Sequence, residues 1–196
     1  MKIKILSIGI LAFMSVFSLF AQSSQVAIAK SKIEWKGTKA IGEHNGVIAI
    51  KKGTIVLTNG KITGGEIIID MKGITVVGDE SVGDKKHIIK DISHKAFFNV
   101  KGFPTSKIVI KEVTDGILKG DLTIKGKTNP VSFKVEYKLT NGKLIANSAN
   151  FSIDRQDWDL VFNSFLKEKI LDDSLQFKVH IETQKVANKS TTKSGE

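Results

Sequence analysis

Apolar and polar side chains alternate through most of this chain. Leu118, Leu122 and Ile124 fall on one parity, and Lys119, Asp121, Thr123 and Lys125 on the other. A little further on, Val131, Phe133, Val135 and Tyr137 alternate with Ser132, Lys134, Glu136 and Lys138. A period of two is that of a β-strand with one apolar face and one wet face. The same reading predicts strands over 33–39, 46–51, 54–58, 66–71, from Ile108 onward, and over 117–125, 131–139, 144–153 and 175–182. Asn59-Gly60, Asp115-Gly116, Asn129-Pro130 and Asn141-Gly142 read as the turns between them.

Two segments break this period. Ile88, Ile89, Ile92 and Ala96 are spaced as on a helix over 85–98, with Asp84 as its expected N-cap. Trp158, Val161, Phe162 and Phe165 follow the i, i+3, i+4, i+7 spacing of a second short helix. Each is read as a segment lying over the sheet. Strands joined by tight turns favour an all-β, antiparallel barrel or sandwich over any βαβ arrangement. Alternation alone does not choose between barrel and sandwich.

The two ends of the chain stand apart from the pattern. Lys2 and Lys4 precede an apolar run from Ile5 to Phe20, followed by Ala21. This is the layout of a secretion signal over residues 1–21, too short for a span and lacking a basic stop-transfer flank. The expected organisation is a signal at 1–21, an N-terminal segment at 22–30, a strand-rich domain at 31–184 and a disordered polar tail at 185–196. The expected location is periplasmic or secreted. With no cysteine among 196 residues, neither disulfides nor a lipidated cysteine are available. An apolar core must therefore supply the stability.

The net charge of +10 adds a constraint on partners. Its carriers are almost all lysines dispersed over the polar faces of strands, without the clustering and aromatic interleaving of nucleic-acid binders. Solubility and a weak attraction to anionic membrane surfaces are the roles this charge suggests. Catalysis finds little support. The four histidines, His44, His87, His94 and His180, lack the spacing of a ligand pair, so no metal is expected. "GDESVGDKK" (78–86) places acidic residues where a phosphate loop needs none. No GxSxG elbow is present. Arg155 is the one arginine, at a strand end in "FSIDRQDW". A guanidinium pairs carboxylates as a fork, so Arg155 is expected in a structural ion pair with Asp154, Asp157, Asp172 or Asp173, with contact to a ligand head group as the alternative.

Several stretches, in order, carry a resemblance: "SKIEWKGTK", "GEHNGVIAIKKGTI", "GGEIIIDMKGITV", "AFFNVKGFPTSKIVI", "GDLTIKGKTNPVSF", and "FSIDRQDWDL" followed by "LDDSLQFKVHIE". Together they cover nearly all of 31–183, and the set resembles the YceI-like family of exported, lipocalin-like, polyisoprenoid-binding proteins. Where that family often has a glycine–histidine–leucine run before the paired phenylalanines, this chain has Lys90-Asp91-Ile92. The resemblance implies an antiparallel β-barrel of about eight strands with one or two short helical segments. It also implies a binding protein rather than an enzyme, holding a long-chain amphiphilic lipid of polyisoprenoid or isoprenoid-quinone type. The lipid is then the ligand, and no cofactor is implied. Fatty-acid derivatives, a packed barrel acting through a protein partner, and an accessory in isoprenoid or quinone metabolism remain as alternatives. A homodimer and transient contact with a membrane surface stay open as partnerships. By alternation, Ile69, Phe133, Val135 and Phe177 point inward. Phe97, Phe98, Phe162 and Phe165 belong to the segments expected to cover them.

Overall fold

A computed structural model describes residues 21–39, 42–161 and 171–185. Its strands are β1 (Ala21–Gln25), β2 (Lys32–Lys39), β3 (Glu43–Thr58), β4 (Lys61–Val77), β5 (Thr105–Thr114), β6 (Ile117–Ile124), β7 (Lys127–Thr140), β8 (Lys143–Ser148), β9 (Phe151–Asp154) and β10 (Leu171–Glu182). One helix, α1 (Val82–Ser93), lies between β4 and β5. Short 3-10 turns occupy Ile28–Lys30 and Arg155–Trp158. Every pairing is antiparallel, in the order β3-β2-β10-β8-β7-β6-β5-β4, and β4 returns to pair with β3. The sheet is closed.

Two of its staves are interrupted. β1 and β2 lie end to end against β3, on Thr54–Thr58 and Glu43–Ile48 respectively. β8 and β9 do the same against β10. Counted by staves, the barrel has eight. Hydroxyl groups bridge the breaks where ladder bonds would be missing. Ser31 Oγ donates to the Ala27 carbonyl and accepts from the Glu182 amide, both at 3.0 Å. Ser148 Oγ accepts from the Val179 amide at 2.8 Å, and at the far end of the β8–β10 ladder the fully buried Thr183 Oγ1 accepts from the Leu144 amide at 3.0 Å. Buried backbone donors thus stay paired.

The structure corrects four details of the sequence reading. Segments 46–51 and 54–58 are one strand, because a bulge near Lys51-Lys52 shifts the register without ending the pairing to β4. Segment 144–153 is two strands, β8 and β9, and the inward parity changes from even to odd across the break. The β6–β7 turn is Lys125-Gly126, with φ of 52° and 81°, and Pro130 sits inside β7 opposite Asp121. β8 reaches back only to Val135, so the edge of β7 at Pro130 has no strand asking for an amide there. Finally, Ser81 rather than Asp84 caps α1. Its hydroxyl accepts from the Asp84 amide at 3.1 Å, and the helix ends at Ser93 instead of 98.

Inside the barrel, isoleucine, leucine, valine and phenylalanine from every stave form one continuous core. Outside, lysines meet carboxylates on the wall, as in Lys119–Glu112 at 2.9 Å and Lys143–Glu182 at 2.5 Å. The bonded lysine holds each of these carboxyls below its ordinary pKa. Part of the positive charge is thereby matched locally.

Candidate ligand cavity

The core does not fill the barrel. A lower chamber is walled by inward residues of β2 to β10, among them Met71, Ile110, Leu118, Phe133 and Phe151. The space open to the centre of a water molecule is about 100 Å³, and the empty space between the walls, mouth included, is about 1050 Å³. The first of these volumes lies below the about 300–1,000 Å³ of ordinary small-molecule sites. Above it, toward α1, an upper chamber of about 70 Å³ by the first measure is walled by Trp35, Lys39, His44, Ile74, Ile88 and Ile92, with others. Ile48, Phe98 and Phe177 line both chambers. The two chambers share these three walls.

Exposure identifies the walls that face empty space. Ile108, Val131, Phe151, Phe177 and Val179 point inward yet are only partly buried. Phe133 stacks on Phe151 with ring centres 4.0 Å apart and planes 8° apart, and Phe151 lies 5.9 Å from Phe177. These three rings panel one wall. At the α1 end, Ile92 is buried with Ile88 and Ile89 packed beside it, so the helix closes over the upper chamber. The chain after Ser93 folds back under α1 and sets Phe97 against Phe98 edge to face, 4.7 Å apart. The polar lining of the lower chamber is limited to Ser106 and Ser148, and the Ser148 hydroxyl is already bonded to Val179.

Among the residues expected at the cavity, Ile69, Phe133 and Val135 line the lower chamber, Phe97 the upper, and Phe98 and Phe177 both. Phe162 and Phe165 lie outside the described residues, as do residues 1–20 of the expected signal and 186–196 of the tail. Phe151 escaped the sequence reading, since the parity change after Ser148 put it out of phase with Leu144 and Ala146. His44 is in β3, and its ring Nε2 lies 2.9 Å from Lys39 Nζ and its Nδ1 3.2 Å from Glu80 Oε1. Its signal was legible: His44 shares the inward parity of Ile48 and Ile50. No group of three His, Cys, Asp or Glu side chains able to hold a metal occurs among the described residues.

Arg155 is away from the cavity walls. Its Nη2 lies 2.6 Å from Asp173 Oδ1, Nη1 donates to the Leu160 carbonyl at 2.7 Å, and Nε donates to the Asp172 carbonyl at 3.3 Å. The fork thereby ties the turn after β9 to the start of β10. Losing one partner of a dry pair costs about 3–5 kcal/mol, but Asp173 is 48% exposed and stays hydrated when left alone. Arg155→Ala is therefore expected to lower stability by about 1–3 kcal/mol, chiefly through the two carbonyl bonds. A urea melt showing no change in midpoint would mean that these bonds add nothing over water.

The YceI-like domain family matches residues 25–183. No curated protein sequence matches the chain. Among solved structures, BcnA of Burkholderia cenocepacia is similar at a TM-score of 0.64 and 20% identity, over 81% of this chain and 99% of that one. A polyisoprenoid binding domain from Saccharophagus degradans, implicated in plant cell wall breakdown, gives a TM-score of 0.62 at 8% identity, over 86% and 99%. At such identities the likeness is one of fold.

Proposed function

The chain belongs to the YceI-like family, and from that premise we propose that it is a binding protein holding a long-chain amphiphilic lipid in the barrel interior. The lipid is of polyisoprenoid or isoprenoid-quinone type, and the role is transport, storage or sequestration. One observation carries this reading: inward aromatic and aliphatic side chains that pack against the core yet stay partly exposed on the wall of an apolar chamber. The likeness to a polyisoprenoid binding domain agrees with it. Two serines in an otherwise apolar chamber favour holding a chain over transforming one. The signal-like residues 1–21 favour a periplasmic or secreted setting.

Energetics set the kind of test. Burying each methylene gains about 0.8 kcal/mol, so a chain of about twenty to forty carbons would gain about 16–32 kcal/mol gross. Non-covalent affinity saturates near about 18–21 kcal/mol, and ordering absorbs the rest. Release is then slow, and the ligand survives purification. Native mass spectrometry of protein prepared without detergent is expected to show an adduct of one lipid of this size. Protein that emerges empty, and that takes up no added isoprenoid of about twenty to forty carbons, would refute the reading.

A further inference from the structure

The mouth of the barrel carries charge on the wrong side of a strand. Ile33, Trp35, Gly37 and Lys39 share the inward parity of β2, and opposite them on β3 stand Ile48, Gly46 and His44. Lys39 and His44 thus both belong to the interior face, and both line the upper chamber. Strand lysines elsewhere sit on the wet face, where alternation puts them. An inward lysine at the rim of an apolar cavity needs a reason.

Its surroundings narrow that reason. Lys39 Nζ is 2.9 Å from His44 Nε2, and an ammonium can only donate, so Nε2 accepts. Nδ1 then carries the ring proton and donates to Glu80 Oε1 at 3.2 Å. Glu80 thereby fixes the tautomer of His44, and His44 fixes the position of Lys39. The other lysine of this chamber, Lys36, is paired with Glu43. Lys39 has no carboxylate at ion-pair distance among the described residues, and the His44 ring takes that place. The ammonium keeps two further N–H bonds to give at the chamber rim.

We propose that Lys39 is the head-group anchor of the bound lipid, donating to an oxygen of a head that is neutral or at most singly charged. The inference rests on the lipid-binding reading and adds the polar end of the ligand to it. The class of head follows from the charges that face the chamber. Asp91 looks in from α1, Glu80 stands behind His44, and Lys36 is already neutralised by Glu43. Among the described residues, one unpaired ammonium with Asp91 on the chamber wall and Glu80 behind His44 suits a hydroxyl, carbonyl or single carboxylate oxygen. A diphosphate would bring several negative charges to the same place and meet repulsion from Asp91 and Glu80. The tail runs past Ile48, Phe98 and Phe177 into the lower chamber, where no such donor waits. His44 is a positioning residue, acting through Lys39.

Three probes with one tail length separate head from tail: geranylgeraniol, geranylgeranyl diphosphate and the hydrocarbon phytane. Binding to delipidated protein is read from Trp35, which lines the upper chamber, with native mass spectrometry as the independent count. Wild-type protein is expected to bind the alcohol about tenfold or more tightly than the hydrocarbon, and no more weakly than the diphosphate. Lys39→Met is expected to bring the alcohol down to the hydrocarbon and leave phytane unchanged. His44→Phe, which removes the acceptor that holds Lys39, is expected to lose part of the same preference. Equal affinity of wild type and Lys39→Met for the alcohol overturns the anchor, as does an equal loss for alcohol and hydrocarbon. Strong preference for the diphosphate overturns the assigned class of head. Failure of all three probes on wild-type protein removes the lipid-binding reading itself, and the anchor with it.

Discussion

Phe133→Asp is expected to abolish retention of an apolar chain, while Lys134→Asp, one residue along β7, is expected to leave the load unchanged. Phe133 is buried and stacked on Phe151 in the lower chamber, and Lys134 points to solvent. A carboxylate placed against hydrocarbon must be desolvated or protonated, at several kcal/mol either way. That penalty falls on the bound state where a chain fills the space the charge would otherwise hydrate. It falls on the fold as well, so the comparison needs a variant that empties the cavity without a charge. Ala146→Phe serves, since Ala146 lines the lower chamber and a ring there occupies ligand space with apolar atoms. Both cavity variants should return from detergent-free purification without an adduct, and Lys134→Asp with the wild-type one. A folded Ala146→Phe carrying the full lipid load would place the ligand somewhere other than this chamber.

Gly46→Ala is the most damaging small substitution we expect. A Cβ at Gly46 would lie 1.8 Å from the Thr75 carbonyl oxygen and 2.6 Å from Trp35 Nε1. Those two atoms are already joined, Trp35 Nε1 donating to Thr75 O at 3.1 Å. The methyl group would thus stand in the space of a hydrogen bond that ties β2 across β3 to β4. Backbone cannot yield as a flexible side chain does, so the cost is about 3 kcal/mol or more. For a domain of this size that is a fall in Tm of about 6–12 °C. Gly64→Ala is the matched control in β4, because its Cβ would meet nothing closer than 3.6 Å. It should be neutral or raise Tm slightly. Equal melting temperatures for the two variants would show that β3 and β4 part at Gly46 at little cost.

Much of this architecture was legible in the chain. Alternation placed Ile69, Phe133, Val135 and Phe177 on the inside, because a strand in a closed barrel has one dry face and no freedom to rotate it. Asn59-Gly60, Asp115-Gly116 and Asn141-Gly142 announced their hairpins because asparagine, aspartate and glycine tolerate the positive φ that such turns require. Lys125-Gly126 makes the same turn with a residue that gives no such signal, and the nearby Asn129-Pro130 drew the turn four residues too far along. Phe151 was hidden by a parity change that only the pairing of two strands on β10 explains. Lys39 and His44 carried the inward parity openly. Their polarity argued for solvent, and only the position of the rim reconciles the two.

The two interrupted staves have a consequence in time. They flank the same strand: β2, continued by β1, on one side of β10, and β8 with β9 on the other. β10 is also the last strand among the described residues, and its contact with the first part spans 151 residues, from Ser31 to Glu182. A chain made in order from its N-terminus therefore has no closed form until its final strand arrives. Any product ending before Leu171 leaves β2 and β8 as two bare edges, with the apolar interior open along the slot between them. Ser31 and Ser148, the hydroxyls that bridge the broken staves, each bond to that strand. The barrel is shut by its last strand.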